Sequence, residues 1–164
     1  MGFIRIKKIN GQEYAYLVEN KWYKREFGSR GKGSRQSSSK YLGKVYHFEK
    51  TSEQDFFSYK GIASPEEYIV NNSQDEVIKD LVRWEFNRHN IDTALFHADF
   101  NGKKITKGGK DAALRLNEGF LCSYTLRRLF NLKKEESFYL ARCFIEAGIE
   151  IPKEIFIGLF AEEE

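Results

Sequence analysis

Strand patterns fill residues 1–50 of this chain and helix patterns dominate after them, and this order is what most constrains the fold. Strands that precede helices are typical of the α+β class, whereas a parallel α/β sheet needs strands and helices that alternate. The sequence therefore predicts an α+β fold with a basic antiparallel β meander over 1–50. A mainly helical region with an inserted β-hairpin near 94–107 is expected over 51–164, either as a second domain or as part of one compact unit.

The predicted meander starts with a β-hairpin at Asn10-Gly11. Before the turn, Ile4 and Ile6 alternate with basic residues, which is the two-residue period of a strand. An Asn-Gly pair readily takes the positive φ angles that a tight type I′ turn requires. The segments that follow are expected to be a returning strand over 14–18, a third short strand over 21–27, a mobile cationic loop over 28–39 and a closing strand over 40–46.

Helix-start and helix-stop signals locate the helices of the second half. Ser73 and Glu76 have the spacing of a capping box, so a helix is predicted from there to about His89. Gly148 is expected to end another helix as a left-handed cap. The remaining elements are predicted to be a helix that starts at Pro65, a hairpin around Asn101-Gly102, a strand over 112–116, and helices over 120–132, 135–147 and 152–161.

The composition excludes several classes of protein. No apolar run approaches the roughly 20 residues that span a bilayer, and the N-terminus has no secretory signal pattern. Cys122 and Cys143 lie in apolar, helix-like patterns without CxxC spacing, which favours two buried free thiols. We therefore expect a cytoplasmic protein that does not bind a membrane.

Charge is distributed unevenly along the chain, although the net charge is only +3. Residues 1–50 carry twelve basic side chains and four acidic ones, residues 51–100 carry four and ten, and residues 101–164 carry eleven and ten. Clustered lysine and arginine are the electrostatic pattern of a nucleic-acid-binding surface. The basic segment 1–50 is therefore the strongest functional signal in the sequence.

The cations of this segment are interleaved with six aromatic residues, namely Tyr14, Tyr16, Trp22, Tyr23, Tyr41 and Tyr46. Lysine and arginine neutralise phosphates and release counterions, and aromatic rings on a sheet stack on unpaired bases. The expected binding set is Arg5, Lys7, Lys21, Trp22, Lys24, Arg25, Arg30, Lys32, Arg35, Lys40 and Tyr41. The alternative is a solvated sheet face whose tyrosines form the core of a small β unit.

A second basic run lies over 103–134, with nine basic side chains and two acidic ones. Two interpretations stay open. The run either extends the nucleic-acid surface through Arg127 and Arg128, or its cations pair with Glu135, Glu136 and the acidic C-terminal residues. Whether the two basic stretches share a face depends on the fold.

No catalytic motif is present in the sequence. The glycines of 28–33 lack the ending of a phosphate-binding loop, and no GxSxG nucleophile motif occurs. Two histidine–carboxylate pairs each supply only two of the ligands that a zinc site needs: His47 with Glu49, and His97 with Asp99. A metal-dependent nuclease would need three carboxylates to converge: Asp99, Asp111 and Glu118. The sequence favours a non-catalytic protein without a metal or cofactor.

One short part of the chain resembles a known element. The residues concerned are Tyr14-Ala15-Tyr16-Leu17-Val18-Glu19, Arg35-Gln36 and Lys40-Tyr41-Leu42-Gly43-Lys44-Val45. They resemble the segment that precedes the catalytic part of some transposases of the insertion-sequence 4 type, and similar segments open many uncharacterised archaeal proteins. The resemblance covers 3–46, about a quarter of the chain, and implies a DNA-handling β element. It implies no activity, because the chain is too short for a transposase catalytic domain and shows no Asp-Asp-Glu triad.

Three functions follow from these observations. The leading one is a small nucleic-acid-binding protein, with RNA or a ribonucleoprotein favoured over DNA because exposed aromatics beside a cationic loop suit irregular single strands. The alternative is a protein-interaction adaptor whose acidic and helical surfaces bind a basic partner or a second copy of the chain. The second alternative is a transposon-derived or nuclease-like DNA-handling protein.

Overall fold

The computed structural model describes residues 2–23, 33–132 and 137–160, with side chains at all of them except 20–23, 33–38 and 137–138. The described strands are β1 (Gly2–Ile9), β2 (Gln12–Tyr23), β3 (Gly33–His47), β4 (Phe96–Asp99), β5 (Lys104–Lys107), β6 (Lys110–Leu116) and β7 (Gly119–Leu121). The described helices are α1 (Phe56–Lys60), α2 (Pro65–Asn71), α3 (Gln74–Arg88), α4 (Ser123–Phe130), α5 (Ser137–Glu146) and α6 (Lys153–Phe160). The α+β class and the N-terminal meander are confirmed.

One sheet runs through both halves of the chain, in the order β1-β2-β3-β6-β5-β4, with β7 paired to β6. The meander strands pair antiparallel, whereas β3 and β6 pair in parallel from Lys44 opposite Ala112 to His47 opposite Arg115. Gly43 stands at the start of this parallel junction with a φ of 134°. A Cβ at this position would lie 2.6 Å from the backbone carbonyl of Asp111, so only glycine fits where the two strands meet.

The two Asn-Gly pairs form different turns. Asn10 and Gly11 have φ angles of 51° and 78° and join β1 to β2 as predicted. The hairpin predicted near 94–107 is also present, as β4 and β5, but neither Asn101 nor Gly102 has the positive φ of a type I′ turn. Positive φ occurs at Lys103 instead, because the Asp99 carboxylate accepts a hydrogen bond from the Gly102 N–H at 3.0 Å and so sets the turn.

The predicted third strand over 21–27 and the predicted loop over 28–39 are corrected within the described residues. β2 continues unbroken to Tyr23, and β3 already begins at Gly33. Residues 33–39 therefore belong to a strand, although serine and glycine have low strand propensity. Backbone pairing along the long hairpin, as between Glu19 and Ser38, outweighs that local preference. Residues 24–32 lie outside the described residues.

Local capping signals predict the helices well. The Ser73 hydroxyl accepts a hydrogen bond from the Glu76 N–H at 3.2 Å and opens α3, with His89 as its C-cap. Gly148 has a φ of 71° after α5, as expected of a left-handed cap. The helix predicted over 120–132 starts later, at Ser123, because 119–121 pair with β6 as strand β7.

The core occupies both faces of the sheet. Ala112 and Leu114 pack into a large cluster with the buried side chains of α3, α4, α5 and α6. Ala113 lies between them on β6 and points to the other face, where it packs with Ala15, Leu42 and other residues of a smaller cluster. Both cysteines are buried and free, as predicted.

The longest described helix, α3, has 15 residues. No helix in 2–23, 33–132 or 137–160 combines the length and the apolar character needed to cross a membrane.

Candidate nucleic-acid interface

One face of the meander brings basic and aromatic side chains together. The register places Arg5 opposite Tyr16 and Lys7 opposite Tyr14, and Tyr16 opposite Tyr41 on the next strand. Because directly opposite residues project from the same side of an antiparallel pair, all five side chains share one face. The apolar Ile4 and Ile6 of β1 project from the other face and pack against the smaller core cluster.

The three tyrosines form a ring cluster under a lysine. The ring centroids of Tyr16 and Tyr41 are 5.4 Å apart, and those of Tyr14 and Tyr41 are 6.4 Å apart. The Lys7 ammonium lies 4.6 Å from the centroid of the Tyr16 ring, within cation–π range. Tyr41 has 46% of its surface exposed, so its ring is available for stacking.

The same face continues onto β3 and β5. The Lys44 ammonium lies 5.5 Å from the Tyr46 ring centroid. The Lys107 ammonium lies 4.6 Å from the Tyr46 centroid and 5.4 Å from the Phe96 centroid. We call this set the tyrosine–lysine face; it consists of Arg5, Lys7, Tyr14, Tyr16, Tyr41, Lys44, Tyr46 and Lys107.

The lysines of the tyrosine–lysine face contact aromatic rings rather than carboxylates. Several cations of the described helices and of the segment before them pair with carboxylates, as in Lys60 with Asp80 at 3.4 Å and Arg88 with Glu150 at 3.1 Å. Within the described residues, the four cations of the face form no ion pair. Because no carboxylate of the described residues neutralises these cations, a phosphate can bind them without displacing one.

Acidic groups affect this face only at its edge. Burial raises the pKa of the Tyr41 phenol, with smaller contributions from the neighbouring tyrosines and from Asp111. The phenol is therefore neutral at physiological pH and its hydroxyl remains a donor. Glu13 alternates with Tyr14 on β2 and pairs instead with His47, whose Nε2 is 3.0 Å from its carboxylate.

The structure brings together some of the sequence-predicted binding residues and separates others. Arg5, Lys7 and Tyr41 share the tyrosine–lysine face. Lys40 pairs with Leu17 in the register and so projects from the opposite face to Tyr41. The register also places Lys21 opposite Arg35 and Trp22 opposite Ser34 in the β2–β3 hairpin. The predicted residues that lie outside the described ones are Lys24, Arg25, Arg30 and Lys32.

Five residues of the face were not in the predicted binding set: Tyr14, Tyr16, Lys44, Tyr46 and Lys107. The alternation of Tyr14 with Tyr16, and of Lys44 with Tyr46, is a sequence signal that could have found four of them. Lys107 has no local signal, because it reaches Tyr46 across a strand pairing between distant parts of the chain.

The cations of the second basic run have different contact partners. Lys107 joins the tyrosine–lysine face, whereas the Lys103 ammonium lies 5.5 Å from the Phe130 centroid and the Arg115 guanidinium 4.7 Å from the Phe120 centroid. Arg128 donates to the Tyr139 hydroxyl at 2.8 Å and pairs with Glu146. Arg128 is thus held within the protein rather than presented to a phosphate. Of the two interpretations of the second basic run, pairing with an acidic residue is the one that applies to Arg128.

The residues considered for metal binding do not converge. Across the described parts of the chain, no group of three or more histidine, cysteine, aspartate or glutamate side chains is placed to hold a metal ion. Asp99, Asp111 and Glu118 therefore form no nuclease-like metal cluster there. The Nε2 atom of His47 contacts the Glu13 carboxylate at 3.0 Å.

A buried ionic network surrounds Glu85 of α3, and its contacts include no residue of the tyrosine–lysine face. This carboxylate is fully buried and accepts hydrogen bonds from the Glu150 N–H at 3.1 Å and the Asn117 side chain at 3.3 Å. It also pairs with Arg88 and His89. The contacts with Glu150 and Asn117 join α3 to neighbouring loops, whereas those with Arg88 and His89 lie at the end of α3 itself.

His89 belongs to this network and is itself 3% exposed. Its Nδ1 donates to the Glu85 carbonyl at 2.8 Å. Burial alone lowers the pKa of His89, but hydrogen bonds to the carboxylate and carbonyl of Glu85 outweigh burial and raise the pKa above its usual value. The Glu85 carboxylate and carbonyl therefore stabilise the protonated imidazole relative to the neutral one at the end of α3.

No protein-family description matches this chain, and neither a curated protein nor a solved structure resembles it. The resemblance of 3–46 to the transposase element therefore stays a prediction. Any functional conclusion must come from the residues themselves.

Proposed function

We propose that this chain is a non-catalytic nucleic-acid-binding protein whose tyrosine–lysine face contacts the phosphates and unpaired bases of single-stranded RNA. One observation carries the proposal: Lys7, Lys44 and Lys107 lie over tyrosine rings on a single sheet face and form no ion pair within the described residues. Free ammonium groups supply phosphate contacts, and the rings beside them supply stacking surfaces.

Single strands fit this face better than duplexes. A tyrosine ring stacks on a base only when that base is unpaired and can leave its neighbours. Tyr41 is the most exposed ring of the cluster and lies on the same face as Arg5, Lys7 and Lys44, which would neutralise the flanking phosphates. Sequence-specific RNA recognition mostly uses such unpaired loops and ends, which is why RNA is proposed ahead of DNA.

A salt titration tests the proposal. Fluorescence anisotropy measures binding of labelled single-stranded RNA of roughly 12 nucleotides at about 50 mM and 200 mM salt. Single-stranded DNA and duplex RNA serve as competitors. We expect tight binding of the RNA that weakens steeply with salt, and weaker binding of the duplex. Binding that does not depend on salt, or no binding, contradicts the proposal.

A matched pair of variants locates the site. Lys7→Ala is expected to lower the salt slope by about one unit, because one phosphate contact is lost. Lys40→Ala removes the same charge from the same meander but from the opposite face, so it is expected to change the slope much less. Equal effects of the two substitutions would place the binding surface elsewhere.

A second candidate function, protein interaction, is favoured by one apolar groove between α5 and α6. The groove has a volume of about 620 Å³ and is lined by Phe144, Ile149 and Phe156 among others. Ile145 also lines the groove and is 59% exposed, so this side chain extends the apolar surface that a partner would cover. Self-association seen by light scattering and abolished by Ile145→Glu would support a second copy as the partner. A monomer at all concentrations would remove that form of the candidate.

A further inference from the structure

We infer that the bound single strand crosses the β-strands, from Arg5 on β1 to Lys107 on β5, so that the second basic run supplies one end of the binding site. This inference rests on the proposed function and names the path of the nucleic acid on the same face. The alternative path runs along β2 and β3 toward the end of their long hairpin, and would not involve β5.

The order of residues across the sheet carries the inference. Arg5 and Lys7 lie on β1, Tyr14 and Tyr16 lie on β2 opposite them, and Tyr41 and Lys44 lie opposite those tyrosines on β3. Lys7, Tyr14 and Lys44 therefore alternate cation, ring and cation across the strands, whereas β1 contributes only cations to the face and β2 only rings. A strand of nucleic acid also alternates phosphates with bases, so a path across the sheet matches cation to phosphate and ring to base.

β6 contributes no exposed side chain to this path where it pairs with Lys44 and Tyr46, because Ala112 and Leu114 are fully buried there. The residue of β6 that pairs with Lys44 is Ala112, a small and fully buried side chain. The long Lys107 side chain reaches over β6 to the ring of Tyr46, 4.6 Å from its centroid. The two basic stretches of the sequence thus meet on one face.

The dimensions agree with a short binding site. The order β1-β2-β3-β6-β5 contains four strand spacings of about 4.8 Å, or roughly 19 Å from end to end. Proteins that bind single strands on a sheet cover about 4 to 16 nucleotides per domain. The path therefore corresponds to the lower end of that range.

Lys107→Ala and its matched control Lys104→Ala test the path. Both lysines belong to β5 and both substitutions remove one charge, but their positions in the strand place them on opposite faces. With single-stranded RNA, Lys107→Ala is expected to weaken binding and to lower the salt slope by about one unit. Lys104→Ala is expected to leave the slope unchanged, and Lys107→Arg to restore it. Circular dichroism shows whether each variant folds.

The outcomes separate the path from the function. If Lys7→Ala weakens binding but Lys107→Ala behaves like Lys104→Ala, the path is wrong and the proposed function stands. If the unmodified protein binds no nucleic acid, or if neither Lys7→Ala nor Tyr41→Ala weakens binding, the proposed function fails and the path fails with it. If Lys107→Ala does not fold, the RNA affinities of Lys107→Glu and Lys107→Arg are compared instead. Equal affinities of these two variants would overturn the path.

Discussion

Tyr41 and Lys44 project from the same side of the sheet although they are three residues apart on β3. Side chains alternate along a regular strand, so this spacing would place them on opposite sides. The register shift between Ala15 and Tyr16 adds an extra residue to β3 and reverses the alternation. The bulge is therefore what aligns the exposed ring of Tyr41 with the cations that follow it.

Gly43→Ala is expected to destabilise the protein. A side chain at a φ of 134° costs about 1–3 kcal/mol in strain, and the new Cβ would also contact the Asp111 backbone. Gly11→Ala is the control, because Gly11 has a φ of 78° but nothing within 4 Å of a new Cβ. Urea unfolding should show a larger loss for Gly43→Ala. Equal losses of unfolding free energy in the two variants would mean that the close approach of β3 and β6 does not add to the destabilisation.

Tyr41→Ala is expected to weaken RNA binding by about 1–3 kcal/mol with little change in the salt slope, because it removes a stacking surface and no charge. Tyr41→Phe keeps the ring and is expected to retain most of the affinity. The measurement is anisotropy at two salt concentrations. A change in slope on Tyr41→Ala as large as that of Lys7→Ala would indicate that the ring acts by positioning cations rather than by stacking.

The stability of the fold is expected to fall as the pH rises above about 6.5, the usual pKa of histidine. The raised pKa of His89 means that its proton stabilises the folded state fully below that usual value, and that this stabilisation is lost as the pH passes the folded pKa. Glu85 and Arg88 are the charged groups that face it. Urea unfolding from about pH 5.5 to 8.5 measures the effect.

His89→Gln is expected to remove this pH dependence, whereas His97→Gln, an exposed histidine on β4, should leave it unchanged. If His89→Gln does not fold, an NMR titration of the His89 ring in the unmodified protein provides the check. A midpoint below 6.5 would contradict the prediction.

Glu85→Ala is expected to cost about 3–5 kcal/mol, because it leaves His89 buried without its carboxylate and Arg88 with Glu150 as its remaining carboxylate partner. Glu76→Ala, also on α3 but exposed, is the control and should cost much less. Chemical denaturation measures both. RNA affinity of the folded fraction of Glu85→Ala should be unchanged, since the contacts of the network include no residue of the tyrosine–lysine face.

Local signals in the sequence predict the elements whose structure depends on a few neighbouring residues. Asn10-Gly11 forms its turn, and Ser73 caps α3, because each needs only its own backbone and a residue within one turn. The strand over 33–39 could not be predicted in this way. Its serines have low strand propensity, and their pairing partner lies across a long hairpin.

The candidate site is partly predictable for the same reason. The alternation around Arg5 and Lys7 places both on one face, and the sequence identifies them. The positions of Lys40 and Lys107 depend on register and on the parallel pairing of β3 with β6, which joins distant parts of the chain. No spacing in the sequence encodes that pairing.

The parallel pairing of β3 with β6 also has a consequence for folding. Lys44 of β3 can pair with Ala112 of β6 only after α3 and the β4–β5 hairpin have been synthesised, because Ala112 follows them in the chain. Contacts so far apart in the chain close large loops and slow the folding reaction. Until they form, β3 presents an unpaired strand edge that can recruit other chains. On the ribosome, the nascent meander is therefore the stage at which this protein is most exposed to aggregation.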